Sequence, residues 1–419
     1  MFNFKYYDMQ CTNKKLHLAK STMLQVLTNF PKRVISKTVW ILSLVSLLTD
    51  MASEMLYPVM PIFLQHIGFS IVLIGVLEGT AEAIAGLSKS YFGRQSDLSG
   101  KRLPFVQIGY ALSAISKPMM GIFIFPFWIF LARTIDRIGK GVRTGARDAM
   151  LSDEATPATK ARVFGFHRSL DTLGAVFGPA IALIYLYFYP HNYQQLFFIA
   201  FLPGILAIAT TCLIKEKKLQ NKAAQVANTN IFAFAEYWKN SPPEYRKLLV
   251  GLLFFALFNS ADVFLLLQLK ANGLSDTAAI GMYIFYNLVY AVSSYPIGIL
   301  ADRLGLKNIF LAGLCTCVIV YAGFSFHQPG YIYGILFALY GLYAAATEGI
   351  AKAWISNLVN KRETATAIGT YSGFQSIAAL LASSMAGIIW YNVGAFATFL
   401  LTSMATILVV LYLSLIKFK

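Results

Sequence analysis

The most constraining stretch is residues 131–150, LARTIDRIGKGVRTGARDAM, which gathers Arg133, Asp136, Arg137, Lys140, Arg143, Arg147 and Asp148 in one short run. Alone it reads as a soluble basic loop, but its neighbours argue otherwise. The apolar run before it, residues 120–132, is only about half the ~20 residues a helix needs to cross a bilayer. Pro118 and Pro126 lie just upstream. A span that begins near Phe125 must therefore continue through the charges to reach the far side. Arg133, Asp136, Lys140, Arg143 and Arg147 step by three and four residues, which places them on one stripe of a helix. Such a stripe cannot face lipid; it faces a water-filled cavity or partner charges.

The rest of the chain is built to supply that setting. Of 419 residues, 57% are hydrophobic and 13% charged, about half the charged fraction of a soluble domain. Repeated apolar runs of helical length indicate an all-α integral membrane protein. Spans are expected at 39–64, 70–92, 103–123, 126–150, 163–188, 194–214, 247–269, 277–300, 307–326, 331–356, 365–390 and 395–416. The intervening loops test this count. One side collects Lys14, Lys15, Lys32 and Arg33, then Arg94, Lys101 and Arg102, then Lys160 and Arg162. Lys215, Lys217, Lys218, Lys222, Arg303, Lys307, Lys361, Arg362, Lys417 and Lys419 follow on that side. The other side has Lys270 and almost no other Lys or Arg. The positive-inside rule then expects both termini in the cytoplasm. An eleven-span reading without the charged segment would scramble the alternation. The net charge of +16 is spread over these loops, so it reads as a topology signal and nucleic acid is not an expected partner.

The chain also repeats. Gly93-Arg-Gln-Ser-Asp97-Leu-Ser-Gly100-Lys101-Arg102 follows the second span, and Gly298-Ile-Leu-Ala-Asp302-Arg303-Leu-Gly305-Leu-Lys307 follows the eighth, 205 residues later. Gly68 meets Gly273 at the same offset, and Gly165 meets Gly369 at an offset of 204. The domains expected are a basic segment at 1–38, a six-helix bundle at 39–214, a polar connector at 215–246 and a second bundle at 247–419. The first segment lacks the apolar core and cleavage site of a signal peptide; its LHLAKSTMLQVL stretch is weakly amphipathic. Matching halves are a transporter signature and place a site at their interface near the midplane.

With GxxxDxxGxR/K after the second span and its echo after the eighth, the chain resembles the major facilitator superfamily over residues 38–416. The stretch RDAMLSDEATPATKARVFGFHRSLDTLGAVFGP resembles a bacterial branch of it with no defined substrate. The resemblance implies twelve transmembrane helices in two pseudo-symmetric six-helix bundles, a place in the bacterial inner membrane, and alternating access by a chain acting as a monomer. It also implies that Gly93, Asp97, Gly100, Lys101 and Arg102, with Asp302 in the second half, serve as a gating latch. Arg133 resembles the fourth-span arginine of drug/proton antiporters, and Gly174-x-x-x-Gly178-Pro179 resembles their fifth-span motif. Both tilt the expectation towards efflux.

Candidate site residues come from charges inside apolar flanks. Asp50 and Glu54 stand at i, i+4 in the first span, and Glu78 and Glu82 do the same in the second. A carboxylate inside a membrane is costly unless a base neutralises it or it takes a proton, which is what proton coupling needs. The alternative is that these acids are structural partners of the basic stripe. Lys117, Arg133, Asp136, Arg168 and Asp171 join them as proton-coupling or substrate candidates, with internal salt bridges as the competing reading. At the repeat offsets Glu54 corresponds to Asn259, Glu82 to Asn287 and Asp171 to Gln375. Charge is thus concentrated in the first half. Asn259, Asp262, Asn287 and Gln375 are the polar cavity candidates of the second. Asp148 and Lys352 correspond with opposite sign, which suggests a bridge between the halves.

Four cysteines without a ligand framework argue for no metal, and no nucleotide-binding loop is present, so no cofactor is expected and an enzyme is a weak reading. The leading expectation is a proton-coupled exporter of a small organic solute. An importer of an anionic metabolite or siderophore, and a non-transporting membrane sensor or scaffold, are the alternatives.

Overall fold

The computed structural model describes residues 35–57, 59, 60, 63, 64, 67–190, 192–215 and 233–416. The basic N-terminal segment and most of the connector lie outside the described residues. The first half contains α1 (Lys37–Leu56), α2 (Ile71–Ser99), α3 (Leu103–Ile122), α4 (Pro126–Asp153), α5 (Lys160–Phe188) and α6 (Tyr193–Thr211). A short helix, α7 (Ala233–Asn240), follows. The second half contains α8 (Pro243–Phe258), α9 (Val263–Ala271), α10 (Asp276–Leu304), α11 (Leu306–Phe324), α12 (Gly330–Leu358), α13 (Thr364–Asn392) and α14 (Ala395–Leu415). No strand occurs among the described residues.

Each expected span falls on one helix except the first, which α1 covers only to Leu56, and the seventh, which is α8 and α9 together. Between them the chain leaves helical geometry at Asn259–Asp262. The exposed backbone groups at the break find new partners: Thr402 Oγ1 donates to Phe258 O at 2.8 Å, and Ala261 N–H donates to Ser383 Oγ at 3.3 Å. That repair is what a membrane interior demands of irregular backbone. Nine stretches among the described residues are long and apolar enough to cross a membrane, counting α8–α9 as one. α4 is not one of them. Its charges are instead enclosed by protein, with Arg133, Asp136, Arg143, Arg147 and Asp148 all buried. α4 packs against α2 and α3 and reaches α13 of the other half. Pro126 sits in its first turn, where a missing N–H costs nothing.

Two expectations about element limits are corrected. The second span runs on as helix to Ser99, not to residue 92, so Gly93 and Asp97 ride on α2 and only Gly100 makes the turn, at φ 63°. The first span, expected over 39–64, leaves α1 after Leu56, with Tyr57 and Val59 in a turn before residues 60, 63 and 64 return to helix.

The repeat is visible in the backbone. Ser70 and Ser275, 205 residues apart, each cap a helix by accepting from the N–H three residues on, both at 3.2 Å. The halves meet through α2 against α13 and α5 against α10. These crossings are pseudo-equivalent and glycine-dependent: a Cβ on Gly93 would lie 2.5 Å from Ala365 O, and one on Gly298 would lie 2.5 Å from Ala161 O. Small residues permit such backbone approach.

Candidate functional site

At the end where α2 meets α13, two aspartates close the molecule in matching ways. Thr366 donates to Asp97 Oδ2 from its N–H at 2.7 Å and from Oγ1 at 2.8 Å. Ala161 N–H donates to Asp302 Oδ1 at 2.9 Å, and Arg162 adds its N–H at 3.2 Å and Nε at 2.7 Å to Oδ2. Each carboxylate therefore sits on the N-terminal turn of a helix from the opposite half, where the helix dipole and free N–H groups favour an anion. Arg102 is buried beside Asp97 at 3.0 Å, bonds Lys361 O at 2.8 Å and pairs with Asp153. Lys101 is exposed. α7 lies over the same end: Arg94 pairs with Glu236 at 2.9 Å, and Tyr237 OH donates to Glu363 at 3.3 Å. Burial, and then the nearby Glu363 carboxylate, push the Tyr237 phenol above its ordinary range.

Deeper in, Asp148 is fully buried and shared by Arg147 at 2.9 Å and Lys352 at 2.7 Å, an ion pair across the halves. Arg168 holds Asp171 at 2.7 Å and also pairs with Glu348. Asp171 accepts from Ser46 as well, and Arg147 reaches Ser46 Oγ at 3.2 Å. His167 lies buried in α5 with no hydrogen-bond partner on either ring nitrogen among the described residues.

Above this layer a cavity of about 460 Å³ separates the halves. One wall carries Asp50, Glu54, Tyr57, Lys89, Lys140, Arg143, Thr144, Arg147, Arg168 and Asp171; the other carries Asp262, Tyr283, Tyr286, Asn287, Tyr290, Glu348, Lys352, Tyr371, Ser372 and Gln375. Asp262, at the α8–α9 break, accepts from Tyr286 and Tyr340, each at 2.6 Å. Tyr283 OH reaches Glu54 at 3.4 Å from the opposite half. Asn259 lines a smaller adjoining cavity of about 100 Å³ and bonds Tyr321 and Tyr343.

The structure thus brings Asp50, Glu54, Arg168, Asp171, Asp262, Asn287 and Gln375 to one chamber. It does not bring Lys117, Arg133 and Asp136 there. Lys117 of α3 is buried with its ammonium 2.8 Å from Asp136, and Arg133 is 3.7 Å from the same carboxylate. This cluster ties α3 to α4 away from the cavity. The side chains of Glu78 and Glu82 lie outside the described residues. Lys89, Lys140, Arg143 and Arg147 line the chamber but are not candidates by sequence. The spacing of the α4 stripe was the available signal, although it did not reveal which half of the stripe meets the cavity.

A model of the Major Facilitator Superfamily matches residues 42–277 and 248–418. An uncharacterised MFS-type transporter of Methanocaldococcus jannaschii is 32% identical over 364 residues, which span 85% of this chain and 89% of that protein. An uncharacterised protein of Mycobacterium tuberculosis is 23% identical over 80% of this chain and 82% of its own length. Among solved structures, the human organic anion transporter MFSD10 matches with a TM-score of 0.79 at 17% identity, and the Escherichia coli fucose:proton symporter FucP with 0.75 at 11%. Each covers 92% of this chain and 100% of its own, and at these identities the likeness is one of fold. Two helical halves, bonded to each other by paired aspartates around a polar chamber and matched by the family model and a relative along almost the whole chain, place this multi-pass membrane protein in the major facilitator superfamily of transporters.

Proposed function

We propose that the protein is a secondary active transporter that moves a small organic solute by alternating access, with protons as the coupling ion at Asp50 and Glu54. The observation that carries this reading is the setting of these two carboxyls. They face the cavity, and neither has a cation within 4.0 Å among the described residues. A carboxyl placed there can exchange a proton with cavity water while the solute is bound nearby. The distribution of Lys and Arg between loops supports a cytoplasmic location for the Asp97 and Asp302 end. On that reading the structure is closed to the cytoplasm, and the Asp97, Asp302 and Asp148–Lys352 contacts must break for the cavity to change sides.

The efflux direction draws its support from the α5 motif, where Gly174 and Gly178 lie against the α1 backbone. Its other support, Arg133 as an antiporter-type arginine, is weakened by the distance of that residue from the cavity. Uptake in the same sense as protons is a second reading, favoured by the Lys140 and Arg143 cations that line the cavity. A cavity complete within one chain supports action as a monomer. Purified protein in proteoliposomes with an imposed pH gradient tests the proposal: a solute panel should show gradient-driven movement that Asp50→Asn and Glu54→Gln suppress. Movement of every solute unaffected by the gradient would remove the proton coupling. Absence of any movement would favour a sensor.

A further inference from the structure

Most of the cavity's charges already have partners. Arg168 is held by Asp171 and Glu348, Arg147 and Lys352 share Asp148, and Asp262 is held by two tyrosines. Lys140 and Arg143 are different. They lie one turn apart on the cavity face of α4, and neither has a carboxylate within 4.0 Å among the described residues. Lys140 is exposed within the cavity. Arg143 is only 5% exposed; its guanidinium bonds Ser113 Oγ and lies over the Tyr110 ring at 4.7 Å, and its buried Nε has no hydrogen-bond partner among the described residues. A guanidinium withdrawn from water without a counter-ion is costly, and a ligand anion is the group that repays it. Asp50 and Glu54 are the equally unmatched acids in the same chamber.

We propose that Lys140 and Arg143 are the anion-binding point of the cavity, that they take the carboxylate of an organic anion, and that anion and proton travel in the same direction. The direction rests on the proton-coupled reading of Asp50 and Glu54. When these two are ionised, they offset Lys140 and Arg143 and repel an incoming anion. When they are protonated, the two cations are left for the solute. Each ligand then raises the affinity for the other, which is a reciprocal coupling. A cationic solute would compete with the protons and give exchange instead. The groups that face Asp50 and Glu54 are Arg137 and Lys140 on α4, Arg168 and Asp171 on α5, Tyr283 on α10, and Asp262 across the chamber. Of these, Arg168 and Asp171 are paired with each other and Asp262 is held by tyrosines, while Arg137 adds to the positive charge of α4 that remains when the two acids are protonated.

The test is calorimetric titration of the purified full-length protein with benzoate, succinate and gluconate, and with benzamide and benzylamine as neutral and cationic controls. Runs at about pH 5.5 and pH 7.5, in buffers of different ionisation enthalpy, count the protons taken up on binding. At least one carboxylate should bind, more tightly at the lower pH and with net proton uptake. Arg143→Gln should weaken it by about tenfold or more, the loss of one charge-assisted contact. Lys140→Gln, a change at an exposed side chain, should weaken it without disturbing the fold. Asp50→Asn with Glu54→Gln should retain binding and lose its pH dependence. Preferential binding of benzylamine, binding of none of the three carboxylates, or carboxylate binding untouched by both cation variants would overturn the site. Binding that needs Lys140 and Arg143 but ignores pH and the acid variants would support the anion site and overturn the shared direction together with the proton-coupled reading. Gradient-driven uptake of a solute indifferent to Lys140→Gln and Arg143→Gln would overturn the site and spare that reading.

Discussion

Gly93→Ala should open the end of the molecule where α2 crosses α13. The added Cβ would stand 2.5 Å from Ala365 O, backbone that has no rotamer to yield. Relief to an ordinary contact of about 3.4 Å moves the helices apart by roughly 0.9 Å. The Thr366 N–H to Asp97 bond, now 2.7 Å, would stretch beyond hydrogen-bond length. So would the Thr366 Oγ1 bond at 2.8 Å. Charge-assisted bonds are worth about 1.5–3 kcal/mol each, part of which water returns at an opened end. A net loss of about 3 kcal/mol shifts the balance between closed and open forms on the order of 100-fold. Spin labels at Ser99 and Arg362, both exposed, read this by electron–electron double resonance. The variant should transfer population to a longer distance. Gly281→Ala, at a position with nothing within 4 Å, should leave the distribution unchanged. If Gly93→Ala keeps the parent distribution and the parent thermal midpoint, the crossing is not glycine-limited and the latch argument fails.

Asp148→Asn leaves the buried Arg147 and the half-buried Lys352 around a neutral group and should cost about 3–5 kcal/mol, read as a lower thermal midpoint in detergent; an unchanged midpoint would mean the pair relaxes into water. Lys117→Met should destabilise by a few kcal/mol, because it takes a 2.8 Å ammonium contact away from the buried Asp136 carboxylate, whose Arg133 partner stands 3.7 Å away. It should leave the pH dependence of transport intact, and a flattened pH profile would return this cluster to the coupling machinery. Glu54→Gln should flatten that profile while leaving stability nearly unchanged, since it removes one 3.4 Å contact with Tyr283. Glu236→Gln breaks a half-exposed pair to Arg94 and should cost under about 1 kcal/mol in urea unfolding; a larger loss would make α7 a structural strap across the halves.

The amino-acid sequence carried the membrane class, the order of the helices and the internal repeat. Hydropathy, loop charge and glycine position are local or periodic properties, so they survive without a partner in view. The charged run at 131–150 was legible as a buried helix for the same reason: its length and neighbours left no other place for it. Pseudo-equivalence even aligned Asp148 with Lys352, which stand 2.7 Å apart. Tertiary structure alone decided which end of the α4 stripe looks into the cavity. Lys117 reaches Asp136 from 19 residues away and takes Asp136 and its neighbour Arg133 into a helix–helix contact, while Lys140, Arg143 and Arg147 are left to line the chamber. Tyr283 meets Glu54 across 229 residues and Asp262 is held from α10 and α12, contacts that helix crossing angles set and sequence spacing does not encode. A stripe on a helix names a face; only the packing around that face says where one side chain meets a counter-charge and another meets water.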